Sequence, residues 1–183
     1  MTTVQTTPAL TTWKIDPAHS HIEFGVRHLM ITTVKGRFGT VDGIIRTDEA
    51  DRSKSEVDVN VDVASIDTRE PQRDAHLRSA DFFDVEKFPT ITYRSRKVIE
   101  AKANEFEVVG DLTIHGVTRE VALNVTDEGR TKDPWGGERA GFTATTKIKR
   151  GDFGLTWNQA LETGGFVVGD DVKITLDLEL VKY

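Results

Sequence analysis

Residues Ser55 to Ser65 read SEVDVNVDVAS, and this stretch decides the fold. Val57, Val59, Val61 and Val63 alternate without a break with Glu56, Asp58, Asn60 and Asp62. Side chains of an extended chain point to opposite faces in turn, so the pattern predicts a strand with one apolar face and one acidic face. The same period returns in DVKITLDLELVKY (171–183), where Val172, Ile174, Leu176, Leu178 and Leu180 oppose Lys173, Thr175, Asp177 and Glu179. HIEFGVRH (21–28) sets Ile22, Phe24, Val26 and His28 in step, and EFEVVGDLTI (105–114) does so with Phe106, Val108, Gly110, Leu112 and Ile114. Further strands are expected over 34–46, 90–99, 119–126 and 139–150, separated by turn-forming IHGVT, DEGRTKDPWGGE and LETGGF. About eight strands result.

Strands of this kind have two solutions, a two-sheet sandwich with a solid core or a closed barrel without edges. Periodicity does not separate them. Length favours the barrel, because ~10 residues at ~3.3 Å each reach roughly 30 Å, long for a compact sandwich. The 183 residues suit one domain. The Thr-rich start, residues 1–12, reads as a flexible tail, and 13–183 as the barrel domain.

One segment breaks the pattern. In DAHLRSADFFDVEKFPTITY (74–93), Leu77, Ala80 and Phe83 fall on one helical face, with Arg73, Arg78 and Asp81 turned to solvent. A short helix here would cover an open barrel end, with Phe82, Phe83 and Phe88 against the rim and Pro89 opening the next strand. A second passage, KRGDFGLTWNQALETGGFVVGD (149–170), gathers Phe153, Trp157 and Phe166 among glycines. It reads equally as a cover for the barrel end or as a gate hinged at Gly154, Gly164 and Gly165.

Composition excludes several functions. Lys and Arg number 24 against 30 Asp and Glu, and a net charge of -6 disfavours nucleic acid as a partner. There is no Cys, hence no disulfide, thiolate nucleophile or thiolate metal ligand. No run approaches the ~20 apolar residues of a membrane-spanning helix, and the start lacks the apolar core of a secretory signal. These features predict a soluble, cytoplasmic chain without an integral membrane segment.

The polar residues offer little chemistry. His19 and His21 share a strand face but lack an evident third metal ligand, so no metal site is assigned. Asp16, His19 and Ser20 lie close in sequence without the elbow of a hydrolase, and no catalytic residue is assigned. GGFVVGD matches no phosphate-binding loop. His115 with Gly116 suits a tight turn, and His76 has a structural place in the helix. His28 follows the inward parity and places a polar group inside the barrel.

Alternation turns inward Ile22, Phe24, Val26, Phe38, Ile91, Tyr93, Phe106, Val108, Leu112, Ile114, Leu123, Phe142, Ile174 and Leu176. Packed against each other, these residues make a solid core. Held apart, they surround a ligand.

Four segments in order, WKIDPAHSHIEFGVRHLMITTVKGRFG, DAHLRSADFFDVEKFPTITY, VGDLTIHGVTREVALNV and VGDDVKITLDLELVK, closely resemble the YceI-like family, small bacterial proteins described as polyisoprenoid binders. The match runs from Trp13 to Tyr183. It implies an all-β, eight-stranded antiparallel lipocalin-like barrel with a short helix over one end. It further implies non-enzymatic binding, storage or transport of a long-chain isoprenoid, either a polyisoprenoid or an isoprenoid quinone, or of a similar lipid, with no cofactor. The ligand-binding set is then Ile22, Phe24, Val26, His28, Phe38, Phe83, Ile91, Tyr93, Phe106, Val108, Leu112, Ile114, Phe142, Trp157, Ile174 and Leu176. A homodimer is the assembly entertained, and exported relatives are common in the family. Two rival classes stand beside this: a small hydrolase or isomerase using His28 and a neighbouring acid inside the barrel, and an interaction module using the outer faces.

Overall fold

Val57, Val59 and Val61 lie in β5 (Glu56–Asp62), with Val59 and Val61 buried, while Val63, expected in the same strand, opens a 3-10 turn beyond it, where the Asp62 side chain accepts from the Ala64 N–H. A computed structural model describes residues 10–183. Its strand segments are β1 (Thr11–Ile15), β2 (His21–His28), β3 (Thr32–Phe38), β4 (Val41–Thr47), β5, β6 (Ile66–Asp67), β7 (Thr90–Lys102), β8 (Glu105–Ile114), β9 (Val117–Lys132), β10 (Glu138–Lys149) and β11 (Val168–Lys182). Most of the expected tail lies outside the described residues. Thr11 and Thr12 are already strand, paired with Thr47 and Arg46.

Every pairing is antiparallel, and the segments run in the order β1-β4-β5-β7-β8-β9-β10-β11-β2-β3-β6. Three strands are bent into two segments each. β1 and β2 both pair with β11, β4 and β3 pair with β1 and β2 respectively, and β5 and β6 continue the row. Among the described residues the segments therefore make eight staves, and the β1–β11 pairing closes them into a barrel. The span 34–46, expected as one strand, bends between Phe38 and Val41, where Gly39 N–H donates to the Ser65 carbonyl. Closure removes the exposed edges that an open sheet of this size would present.

Two details show local sequence setting the geometry. His115 and Gly116, with φ of 54° and 72°, form the two-residue turn between β8 and β9, where both central residues need positive φ. Gly110 lies under the Tyr93 ring, and a Cβ there would approach the ring at 2.8 Å.

The helix α1 spans Pro71–Arg78. Glu70 caps it by accepting from the Gln72 and Arg73 N–H groups, and Pro71 needs no partner in the first turn. It is shorter than expected. Ser79 takes extended backbone and donates its hydroxyl to the His76 carbonyl, so Ala80 and Phe83 sit in following turns rather than on the helix. Arg73 and Arg78 are only partly exposed and bond to the protein. Arg73 donates to the Thr68 hydroxyl and carbonyl, and Arg78 to the Ala64 and Ile66 carbonyls, which ties the helix to the strand before it. Among the described residues no helix is long and apolar enough to cross a membrane.

Candidate ligand-binding cavity

Along β11 the inward residues Val172, Ile174, Leu176 and Leu178 are only partly buried, whereas Leu180 is fully buried. The gradient marks a hollow barrel with a filled bottom. A cavity of about 440 Å³ runs through it, within the ~300–1,000 Å³ usual for ligand pockets. All sixteen residues assigned from sequence lie on its wall. The solid-core reading therefore does not describe the upper barrel, although Trp13, Ala140 and Leu180 pack tightly below.

The floor is closed by charge as well as by packing. Trp13 is 2% exposed and donates its indole N–H to the Thr47 hydroxyl at 2.9 Å. Above it, Asp127 accepts from Arg52 at 2.9 Å and from Arg130 at 2.7 Å, and Glu49 lies within 3.6 Å of both guanidinium groups. The Arg130 guanidinium also stacks over Trp13 and Phe142. Burial raises the Asp127 pKa, but its bonds to the two arginines and to the Gly129 N–H more than offset this, and the carboxyl falls below its ordinary range.

The opposite end is covered by α1, the turns after it and the β10–β11 connection. His76, Phe82 and Trp157 meet there, with ring centroids 4.8 to 5.3 Å apart, and Phe83 stands edge-on to Phe38 at 6.1 Å. The three aromatic residues of the connection do not all cover the barrel end. Phe153 is buried, Trp157 reaches the cavity, and Phe166 is 57% exposed. Phe88 leaves the rim and packs on the His115 ring at 4.8 Å. Arg150 is buried and holds the connection together, donating to the carbonyls of Leu155, Trp157, Val168 and Gly169.

The polar groups of the lumen do not assemble a catalytic pair. His28 lies on the wall, but among the described residues no Asp or Glu lines the cavity beside it, so the acid required by the hydrolase reading is not in place. Tyr93 directs its hydroxyl at the Val108 and Val121 carbonyls, and burial pushes its phenol well above the ordinary range.

His19 lies in the turn between β1 and β2 rather than on a strand, and it bonds Asp16 at 2.9 Å. Asp16, His19 and Glu179 come close enough together to hold a cation, a third partner supplied from far along the chain. Arg139 already bridges the two carboxylates at 2.7 and 2.6 Å. The buried Ser20 exchanges hydrogen bonds with the Glu179 backbone instead of His19, so the three residues make a corner brace and no triad.

Sequence reasoning missed Arg73, Arg150 and Thr68 on the wall. They lie on the helix and in connections, where alternation carries no inward signal. It also left out Val57, Val59 and Val61, whose alternation was plain.

A closed antiparallel eight-stave barrel with a covered apolar lumen defines the lipocalin-like fold class. The chain belongs to the YceI-like family: the YceI-like domain matches residues 13–180. It is 45% identical to a UPF0312 protein of Vibrio cholerae over 138 residues, 75% of this chain and 73% of that protein. Among solved structures, BcnA of Burkholderia cenocepacia superposes with a TM-score of 0.80 at 24% identity, over 90% of this chain and 98% of that one. A polyisoprenoid binding domain from Saccharophagus degradans superposes with a TM-score of 0.66 at 17% identity, over 95% and 99%. At these identities the two structures share the fold.

Proposed function

We propose that the protein binds a long-chain isoprenoid, or a lipid of similar shape, in the barrel lumen and stores or carries it without chemical change. The observation that carries this reading is the cavity: long, walled by apolar side chains and closed below by the Trp13 floor. Polar partners for water are few along its middle, and an apolar chain placed there gains ~25 cal/mol for each Å² it removes from water. The family membership and the polyisoprenoid binding named for the Saccharophagus degradans domain support the isoprenoid as the first ligand to try.

Native mass spectrometry and organic extraction of purified protein should release a lipid-sized passenger. Phe24→Trp sharpens the test. Phe24 faces the lumen opposite Gly36, where a Cβ would approach the ring at 2.4 Å, so a larger ring has only the cavity to enter. Lipid retention should fall while the lipid-free barrel keeps nearly its full stability. If the variant instead loses about 1–3 kcal/mol as an overpacked core would, and lipid retention is unchanged, the lumen is not the binding site.

A further inference from the structure

We infer that the ligand carries an anionic head group, a carboxylate or a phosphate, held at the lid end by Arg73 and Arg150 while its tail runs down to the floor. This rests on the lipid-binding reading and adds the polarity and orientation of the ligand to it.

The inference starts from an imbalance of charge. Six basic residues line the cavity and, among the described residues, no carboxylate does. Three of the six are accounted for elsewhere. Arg52 is paired at the floor with Asp127 and Glu49, His76 with Asp81 at 2.8 Å, and Arg27 is exposed with its guanidinium on the Met30 carbonyl and Thr33 hydroxyl. His28, Arg73 and Arg150 remain, and among the described residues no carboxylate oxygen comes within 4.0 Å of their side-chain nitrogens; the Glu70 carboxylate reaches only the Arg73 backbone N–H.

The three converge on one end of the barrel. Arg150 donates to the Val168 carbonyl, and Val168 stands opposite His28 across the β2–β11 pairing. Arg150 also donates to the Trp157 carbonyl at 2.9 Å, and the Trp157 ring meets His76, which lies one turn of α1 after Arg73.

Arg150 is 6% exposed, and each of its bonds goes to a neutral carbonyl. Carbonyls satisfy the N–H groups without cancelling the charge; Asp170 acts on it from a distance while bonding the Gly151 N–H, and a buried charge without a directly bonded counter-ion is unfavourable. Its role in holding the connection explains those bonds. That role does not explain why Arg73, on a separate element, also reaches the same cavity, its side chain bonded to the Thr68 hydroxyl and carbonyl and linked to the buried Asp74 carboxylate only through that hydroxyl. A neutral chain end would leave both charges facing hydrocarbon, whereas an anion completes them with charge-assisted hydrogen bonds, and no lumen carboxylate repels it.

The test measures equilibrium binding of four probes to the lipid-stripped protein: geranylgeraniol, geranylgeranyl monophosphate, hexadecanol and palmitate. Each anionic probe should bind about tenfold or more tightly than its neutral counterpart, and Arg73→Gln should remove most of that preference, read as the ratio of anionic to neutral affinity within the same variant. Arg73→Lys, which retains the charge, should keep much of it. A preference confined to palmitate identifies a fatty-acid carboxylate as the head, and one confined to the monophosphate identifies an isoprenoid phosphate. Equal binding of neutral and anionic probes overturns the inference and leaves the lipid-binding reading standing, as does an undiminished preference in a folded Arg73→Gln protein. Failure of all four probes to bind overturns the lipid-binding reading itself.

Discussion

The two ends of the barrel handle charge in opposite ways. At the floor each arginine has an acid: Arg52 and Arg130 share Asp127, with Glu49 beside both, and Trp13 fills the space beneath. At the lid, the side chains of Arg73 and Arg150 bond only to carbonyls and a hydroxyl, and the covering side chains His76, Phe82 and Trp157 come from two separate elements. A self-neutralised, tightly packed end needs nothing further to be stable. An end whose cations have no directly bonded acid, under a cover assembled from a short helix and a long connection, is where the proposed ligand would enter and be held. The barrel is thus a cup, and the difference between base and mouth gives it a direction.

The largest expected effect tests that division by truncating one tryptophan at each end. Trp13→Ala should cost about 3–5 kcal/mol, since it opens a cavity in the packed floor and leaves the Thr47 hydroxyl without its donor. Trp157→Ala, at the half-buried lid, should cost about 1–2 kcal/mol. Its main effect should appear as faster loss of bound lipid. Urea unfolding of both variants in the lipid-free state gives the comparison, and equal losses would mean that the lid is as much a part of the core as the floor.

A smaller effect is expected from the floor charges. Asp127→Ala leaves two guanidinium groups facing each other over Phe106, Phe142 and Trp13 with only Glu49 nearby. The loss should be about 1.5–3 kcal/mol, the range for hydrogen bonds to charged groups. Adding Arg130→Met in the same chain should restore part of it, because one unpaired charge is removed with its partner. Thermal unfolding of the single and double variants measures the recovery. No recovery would show that Asp127 serves mainly to hold the strand irregularity at Gly141 and Phe142.

The contrast between the ends also explains what the sequence showed and what it hid. The wall was legible because it depends on alternation. Ile174 and Leu176, or Val108 and Leu112, announce their facing through a period of two that the register preserves. The turn at His115 and Gly116 was legible because its backbone demands those residue types. The lid was not. Phe83 was placed on a helix that in fact ends at Arg78, and Arg73 was turned to solvent although it bonds Thr68. Connections have no period, so the direction of their side chains is set by tertiary bonds such as those of Arg150, whose partners lie 5 to 19 residues away. The floor was hidden for a related reason, since Arg52 and Asp127 are 75 residues apart.

The smallest effect concerns the outer brace of the β1–β2 corner, on the floor side of the wall. There Asp16 bonds His19 and Arg139, and Arg139 continues to Asp133 and Glu179. The His19 bond is the foremost cause that brings the Asp16 carboxyl down from 3.8 to about 2, and the same bond raises His19 above 6.5. The signs then define a window. A raised histidine adds stability that is fully present below 6.5 and fades as pH climbs through its higher folded value; a lowered carboxyl adds stability present above 3.8 and fades as pH falls toward 2. Both descriptions concern one contact, counted once, which is complete only between those limits. His19→Gln should therefore lower the melting temperature most at about pH 5 and progressively less as pH, followed to about 9, climbs through the raised folded value and the wild-type imidazole loses its proton as well. The drop should be slight, because His19 is exposed and salt screens such pairs. A difference of the same size at both pH values would show that the histidine supports the corner by shape alone, leaving Arg139 as the charge that binds it.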